Sequence, residues 1–489
     1  MLPSVHTFEH QGIPTYWADL PGTCTGTLTF GVGTRDEPVT LAGITHLVEH
    51  VVLRTIEPIT MRHNGSTDED SLSFYASGDP DAVADFLNTV ASAITRIDAV
   101  SSELLEIEKK VLAAELTVEY RRPTSGLSTY RYGSQDIGVS QMGAPATTAI
   151  TREEVVEWVR EWLVASNAAL TWTTAPSGSL NLTLPNGTIV RSQAPSQRAK
   201  TPNLTCSTKG GIAVSLVTPR PHGRLLADAM AFDLLQQLRH ERGLIYDVDV
   251  LTTIVTTDSL QIDLILDPTD DTLAEALERT VEIVRDFAAN GFSKAAIVAV
   301  QQDTAASLGW ESHRMAAYLD ELSVDRLRGR LTPSPQDQLE AANSMTSDLL
   351  KQALSQALPS LIVAVDESVE LPPEVVPRLD LLFDAFQPWE AHPKLRGGTS
   401  WKGKWRGDAS GSLLVITDHH LILRTGQVRS IALANIAVAG HHGCGCWSII
   451  DHRGRLAEID PDDWRDGDSM GRELLERIPG QLIRDFPSH

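Results

Sequence analysis

Residues 43–50 of this 489-residue chain read Gly-Ile-Thr-His-Leu-Val-Glu-His, and this stretch restricts the fold more than any other. It lies in a segment from about Leu41 to Leu53 that predicts a helix. Two histidines four residues apart, His46 and His50, project from the same helical face with Cβ atoms roughly 5–6 Å apart. Both imidazoles can therefore reach one metal ion. The alternative is a helix that carries two solvated histidines.

Glu49 lies one step before the second histidine, where its carboxylate can reach a water molecule beside the ion without binding the ion itself. Zinc lowers the pKa of such a water toward neutrality, and a nearby carboxylate can then accept its proton. The order His-x-x-Glu-His is that of the inverzincin metallopeptidases. The motif thus predicts Zn²⁺ as the cofactor and Glu49 as the catalytic base.

A second motif, Glu108-Lys-Lys-Val-Leu-Ala-Ala-Glu115, follows on a predicted amphipathic helix that ends near Tyr120. Seven residues make two helical turns, so Glu108 and Glu115 share a face. Together the motifs resemble the pitrilysin/insulinase (inverzincin) family of zinc metallopeptidases, similar to its bacterial and mitochondrial-processing-peptidase-like branch. The resemblance implies that Glu115 is the third zinc ligand and that Glu108 tunes the site from outside the ligand shell. The alternative is two glutamates on a solvated helix face.

Two flanking segments support the same resemblance. Gly31-Val-Gly-Thr-Arg-Asp-Glu37 is similar to the family's approach to its catalytic helix. Asn64-Gly-Ser-Thr67 resembles the family's Asn-Ala-x-Thr segment, with Gly65 where alanine is usual. The resemblance implies an edge strand that pairs with an extended substrate, which makes Asn64, Gly65, Ser66 and Thr67 candidate substrate-binding residues. A simple turn at Asn64-Gly65 is the alternative.

Further along, Leu238-Arg-His-Glu-Arg-Gly-Leu-Ile-Tyr246 matches the family's Arg-x₆-Tyr element. The resemblance implies that Arg239 and Tyr246 hydrogen-bond the substrate carbonyl and stabilise the developing oxyanion. The same stretch also predicts the end of a helix, with Gly243 at the C′ position. Both interpretations can hold together.

The arrangement of strand and helix signals predicts an α+β chain of three domains. We expect a zinc-binding catalytic half-domain over 1–185 and a second half-domain of the same fold, carrying the Arg/Tyr element, over 200–388. Each is expected to be an antiparallel sheet covered by helices. Residues 400–489 predict a small β-barrel-like domain with a terminal helix, whose pattern faintly resembles a pleckstrin-homology domain.

Composition excludes several classes of partner. A formal net charge of −23 argues against nucleic acid or an anionic membrane surface. No apolar run approaches the roughly 20 residues of a membrane span, and the first residues lack the pattern of a secretory signal. Four cysteines form no disulfide framework, so we expect a cytoplasmic protein. Cys444 and Cys446 predict a tight turn rather than a second metal site.

These features together predict a zinc-dependent endopeptidase. The resemblance implies that it hydrolyses short or unfolded peptides in an enclosed chamber. A dedicated leader-peptide processing enzyme would carry the same motifs as a general oligopeptidase. The resemblance implies that two chains pair, most simply as a homodimer, with a heterodimer with a related subunit as the alternative. The competing expectation is a non-catalytic peptide-binding subunit of a heterodimeric peptidase.

Overall fold

The computed structural model describes residues 4–56, 60–119, 126–191, 195–208, 211–307, 311–366, 371–384, 389–391, 397–405, 409–425 and 427–486. They form an α+β structure with four sheets, two of six strands, one of five and one of four. None of the helices in these ranges is long and apolar enough to cross a membrane.

The first sheet has the strand order β1-β2-β6-β3-β5-β4 and lies against helices from the same part of the chain. Its strands are β1 (His6–His10), β2 (Ile13–Trp17), β3 (Cys24–Phe30), β4 (Arg62–Thr67), β5 (Leu72–Gly78) and β6 (Ala168–Trp172). The helices are α1 (Ile44–Arg54), α2 (Pro80–Thr95), α3 (Ser102–Glu119), α4 (Leu127–Tyr132), α5 (Ile137–Ser140) and α6 (Arg152–Trp162). Asp79 caps α2, since its carboxylate accepts a hydrogen bond from the Asp81 N–H.

A second six-stranded sheet follows with the order β12-β7-β11-β8-β10-β9. Its strands are β7 (Asn203–Thr208), β8 (Ile212–Pro219), β9 (Ile245–Ile254), β10 (Ser259–Pro268), β11 (Ile362–Asp366) and β12 (Leu382–Asp384). The helices are α7 (Arg220–Leu234), α8 (Leu273–Asn290), α9 (Lys294–Ser307), α10 (Glu311–Leu327), α11 (Pro335–Ser344), α12 (Ser347–Ala357) and α13 (Val375–Leu379).

Both sheets are mixed rather than purely antiparallel. In the first sheet β2 pairs with β6 in parallel, and in the second β7 pairs in parallel with β11 and β12. In each case the later strand follows a long stretch of the chain, and such a crossover allows parallel pairing where a tight hairpin does not. The expectation that both sheets are antiparallel is therefore wrong for these strand pairs.

Each of the two sheets is covered in part by a helix from the other half of the chain. Helix α10 packs Met315 and Leu319 against Tyr16 beside the first sheet. In return, α4 inserts Tyr130 and Arg131 toward the second sheet, where Arg131 is fully buried. Its guanidinium donates to the Ser360 carbonyl at 2.7 Å and to the Ser215 hydroxyl at 2.8 Å. Each half has its own main core, and smaller buried clusters connect the two halves.

Buried ion pairs also connect the two halves. The Asp70 carboxylate in the β4–β5 turn lies 3.0 Å from Arg35, 2.8 Å from Arg330 and 3.4 Å from Arg328. Arg328 also contacts Asp36 at 2.5 Å. Burial alone would raise the pKa of Asp70, but the three arginines outweigh burial and lower it. The turn after β4 is thus fixed to the second half by charge.

The third part of the chain forms two smaller sheets, ordered β13-β17-β16-β15-β14 and β20-β19-β18-β21. The strands are β13 (Glu390–Ala391), β14 (Thr399–Lys402), β15 (Leu413–Ile416), β16 (His420–Thr425), β17 (Gln427–Ala432), β18 (Ile436–His442), β19 (Trp447–Asp451), β20 (Leu456–Ile459) and β21 (Ile483–Phe486), with helix α14 (Gly467–Arg477). The predicted helix is therefore not terminal, because β21 follows it and pairs in parallel with β18.

This third part packs on the first half. Val438, Ile450 and Phe486 share a small buried cluster with Val39 and Ala42, which directly precede α1. At the far end, the β18–β19 connection is a tight turn, as predicted for Cys444 and Cys446. The Gly445 N–H donates to the His442 carbonyl at 2.8 Å, and Gly445 has a φ of 90°.

Replacing Asp70 by asparagine should lower the free energy of unfolding by about 3 kcal/mol at neutral pH, because the arginines stay buried without their shared carboxylate. The lowered pKa means that this stability is present above the unfolded value of 3.8 and is lost as pH falls through the folded value. Urea unfolding of both proteins should show the gap closing on acidification.

The matched control for this variant is Asp98→Asn, which removes an exposed carboxylate that contacts Arg160. It should cost less than about 1 kcal/mol at any pH. An Asp70→Asn protein as stable as the wild type at neutral pH would contradict the role given to the ion-pair cluster.

Candidate metal centre

The first backbone N–H groups of helix α1 are bound by a buried carboxylate. Glu37 is 4% exposed, and its two carboxylate oxygens accept hydrogen bonds from the Gly43 N–H at 2.7 Å and the Thr45 N–H at 2.8 Å. Burial raises the pKa of Glu37 to about 7, although the two N–H donors favour the ionised form and oppose this rise. Gly43 precedes the helix with a φ of 101°, in the left-handed region that favours glycine. Glu37 therefore fixes the start of the helix that carries the histidines.

His46 and His50 leave α1 on one face, and their ring centroids are 4.9 Å apart. Glu115, from α3, joins them: one donor atom from each of the three side chains lies within 4.8 Å of the other two. The Glu115 carboxylate is 3.4 Å from His50 Nε2. Both histidines are half-buried, and the Glu115 side chain is about half exposed. The cluster is thus open to solvent on one side.

Glu108 lies behind this cluster. One of its carboxylate oxygens is 3.4 Å from His50 Nδ1 and the other is 3.4 Å from Arg54 Nε, and the side chain is buried. A carboxylate beside Nδ1 favours the tautomer with a proton there, which leaves Nε2 free to bind a metal. Glu108 therefore orients His50 without entering the three-residue cluster.

Glu49 is buried next to the cluster, and its carboxylate accepts a 2.7 Å hydrogen bond from the Thr67 hydroxyl. Burial raises its pKa, while the Thr67 hydrogen bond and the neighbouring His50 oppose that rise. The carboxylates of Glu115 and Asp68 add to it. A carboxylate of raised pKa in such a place suits proton transfer near neutral pH.

The donor set fits zinc. Two imidazoles and one carboxylate are a usual catalytic zinc set, and three protein ligands leave a position open for water or substrate. In the ranges that the structure describes, no other group of three histidine, cysteine or acidic side chains has its donor atoms so close together. Cys444 and Cys446 accordingly have no such third partner there.

The candidate substrate residues lie on an edge strand. Residues 64–67 belong to β4, which pairs only with β5 in the described sheet, in the register Asn64↔Tyr75 to Thr67↔Leu72. Asn64 and Gly65 are thus within a strand, and the alternative of a turn there is wrong. The outer edge of β4 offers backbone groups to an added strand.

Arg239 and Tyr246 lie at the second sheet. The Arg239 guanidinium stacks 4.8 Å from the centre of the Tyr246 ring, and the Tyr246 side chain is 70% exposed at the start of edge strand β9. Gly243, with a φ of 66°, donates to the Arg239 carbonyl and follows the π-helical turn Leu235–His240 that continues α7, so the predicted helix end is confirmed. In the described part of the chain, neither side chain bonds to His46, His50 or Glu115.

Comparison with known proteins agrees with this geometry. Residues 21–125, which include every member of the metal cluster, match the family model described as Insulinase (Peptidase family M16). The resemblance to the insulinase family is confirmed. No curated protein matches the chain by sequence.

Solved structures extend the similarity of fold beyond the matched residues. A chain of complex III2 from Candida albicans, Inz-5 bound, has a TM-score of 0.64 at 13% identity, with 77% of this chain and 100% of that chain covered. The peptidase M16 inactive domain from Pseudomonas fluorescens has a TM-score of 0.59 at 14% identity, with 76% and 100% covered. The first half of the periplasmic protease PqqL from Escherichia coli has a TM-score of 0.59 at 12% identity, with 77% and 96% covered. At these identities the likeness concerns the fold alone.

The contacts of two residues of the centre were not predicted from the sequence. Glu37 stood in the quoted Gly31–Glu37 segment, but a lone glutamate there does not reveal that it caps the next helix. Thr67 was expected to contact substrate, yet its hydroxyl binds the Glu49 carboxylate. Thr67 reaches Glu49 because β4 packs beside α1.

Removing the Glu108 carboxylate should weaken zinc binding. Glu108→Gln is expected to lower the affinity for zinc by about tenfold to a hundredfold, as outer-shell partners of a histidine ligand typically do. Competition with a chromophoric chelator measures this directly. Glu106→Gln is the matched control, because that side chain is exposed and forms an ion pair with Lys109. Equal affinities in both variants would contradict the role of Glu108.

Proposed function

We propose that the protein is a zinc-dependent endopeptidase that hydrolyses short or unfolded peptides. The observation that carries the proposal is the buried carboxylate of Glu49 directly beside the open cluster of His46, His50 and Glu115. A cluster that served only to hold a metal for structure would not need a buried acid next to its open side.

In this proposal His46, His50 and Glu115 hold the ion. Zinc bound there would supply Lewis acidity, which polarises a carbonyl and makes water a better nucleophile at neutral pH. Glu49 accepts the proton that water loses as its oxygen adds to the peptide carbonyl. Glu49 then gives this proton to the amide nitrogen as the C–N bond breaks, which returns the carboxylate to its starting state.

The substrate would bind by strand addition. An extended peptide can pair with the outer edge of β4, the strand whose Gly65 and Thr67 lie against the base. Backbone pairing requires an extended chain, so short and unfolded peptides are favoured over folded proteins. The same requirement holds for a leader peptide removed from a precursor.

Arg239 and Tyr246 are proposed to stabilise the oxyanion. Their stacked and exposed arrangement leaves donors available to a bound peptide, and they do not bond to the metal cluster of their own chain in the described structure. We infer that two chains pair as a homodimer, so that this element of one chain completes the site of the other. A chamber between the paired chains would then enclose the peptide.

A non-catalytic peptide-binding subunit is the second candidate. It is favoured by one finding, that a solved structure of similar fold is described as an inactive domain. The retained Glu49 and the three clustered side chains argue for the peptidase.

The domain limits 1–185, 200–388 and 400–489 are kept as part of the proposal. The third segment is proposed to be a pleckstrin-homology-like unit, on the basis of its two small sheets and helix α14. A cytoplasmic location is proposed from the low cysteine content alone.

The deciding experiment compares zinc content and peptide cleavage in the wild type, Glu115→Ala and Glu49→Gln. We expect about one zinc per wild-type chain, loss of zinc in Glu115→Ala, and retained zinc without turnover in Glu49→Gln. Cleavage of a fluorogenic peptide library by the wild type supplies the activity. A wild type that holds zinc and binds peptides but cleaves none would favour the second candidate.

Mixing two inactive variants tests the paired site. Glu49→Gln retains the Arg/Tyr element and Tyr246→Phe retains the base, so co-expressed chains should recover part of the wild-type activity through hybrid dimers. Each variant expressed alone should remain inactive or nearly so. Absence of recovery in a verified hybrid dimer would place the complete site within one chain.

A further inference from the structure

Strand β4 contacts Glu49 from two alternate positions, Gly65 and Thr67. Side chains two residues apart on a strand face the same side, so both positions face helix α1 while Asn64 and Ser66 face away. The Thr67 hydroxyl donates to Glu49 Oε2 at 2.7 Å, and in the described residues this is the only hydrogen bond of that carboxylate. The Thr67 hydroxyl therefore orients the Glu49 carboxylate toward β4.

Gly65 makes room for the same side chain. A Cβ atom at position 65 would lie 2.4 Å from Glu49 Cγ and 2.6 Å from Glu49 Oε1, closer than such atoms approach each other in proteins. The Glu49 side chain thus crosses directly over the backbone of Gly65. Any larger residue there would push the carboxylate away from its present position.

We propose that Gly65 and Thr67 are positioning residues that hold the Glu49 carboxylate against β4. This inference rests on the proposed peptidase function, because Glu49 needs a fixed direction only if it transfers a proton. Strand β4 would pair with the substrate backbone at its outer edge. The face of β4 that carries Gly65 and Thr67 holds the Glu49 carboxylate. Base and bound peptide are thereby held in one geometry by the same four residues.

The test compares Thr67→Val with Thr67→Ser. Valine keeps the shape of threonine but lacks the hydroxyl, so kcat should fall by about tenfold to a hundredfold, while KM and zinc affinity stay within about twofold of the wild type. Serine keeps the hydroxyl and should restore most of kcat. A crystal structure of zinc-loaded Thr67→Val should show the Glu49 carboxylate moved from its wild-type position.

Thr29→Val is the matched control. It removes a threonine hydroxyl from β3 of the same sheet, where the partner is Ser73 and not Glu49. It should leave kcat and KM unchanged. A Thr67→Val enzyme with wild-type kcat, or one whose Glu49 carboxylate has not moved, would overturn the proposal, as would loss of zinc from that variant.

Gly65→Ala provides an independent test through a double-mutant cycle. The added methyl group should displace the carboxylate and lower kcat, and adding Thr67→Val should then lower kcat no further, because the hydrogen bond is already lost. Additive effects would overturn the shared role of the two residues.

These outcomes are separate from failure of the proposed function. If the zinc-loaded wild type cleaves no peptide, the function fails, whereas the position of Glu49 in the crystal structures still tests whether Thr67 holds it. If the wild type is active and Thr67→Val is equally active, only the positioning role fails.

Discussion

The metal centre depends first on how helix α1 is held. A carboxylate that is removed from water needs strong partners, and Glu37 finds them in the two backbone N–H groups at the start of the helix. The opposite face of α1 buries Leu47, Val48 and Val51 completely. With its start fixed by hydrogen bonds and one face fixed by packing, the helix has no freedom to rotate. His46 and His50 must then point toward α3, which supplies both glutamates.

The second constraint is the way in which the two halves of the chain are joined. They do not merely touch, since α10 covers part of the first sheet and α4 inserts Arg131 beside the second. Asp70 adds a charged connection at the turn that ends β4. The strand that holds Glu49 is therefore tied at one end to the other half of the molecule.

Sequence reasoning recovers the parts of this site that follow from local spacing. The pair His46 and His50 follows from the helical repeat, and Glu108 and Glu115 follow from a repeat of seven together with the family resemblance. What it does not recover depends on contacts between distant segments. Thr67 is 18 residues from Glu49 in the sequence, and only the pairing of β4 with β5 brings its hydroxyl to the carboxylate.

The same limit applies to the fold. The helix predicted from about Leu41 to Leu53 is observed at Ile44–Arg54, and the one predicted to end near Tyr120 is observed at Ser102–Glu119. Helix α10 was missed because its apolar residues serve the sheet of the other half, and β21 was missed because a short strand after a helix carries little pattern of its own. The sequence shows only that Gly65 stands where alanine is usual in the family. In the structure it is the position where a methyl group has no room.

The packing of the third part of the chain has a practical consequence for anyone who shortens the protein. Val438, Ile450 and Phe486 cover Val39 and Ala42, immediately before the helix that carries the histidines. A chain cut near residue 388 would leave that apolar surface facing water and the start of α1 without its outer cover. Such a fragment would tend to associate through this exposed apolar surface. Its metal affinity would differ from that of the full chain, because α1 would be held less firmly. The last hundred residues thus support the metal centre by packing against the segment that precedes α1.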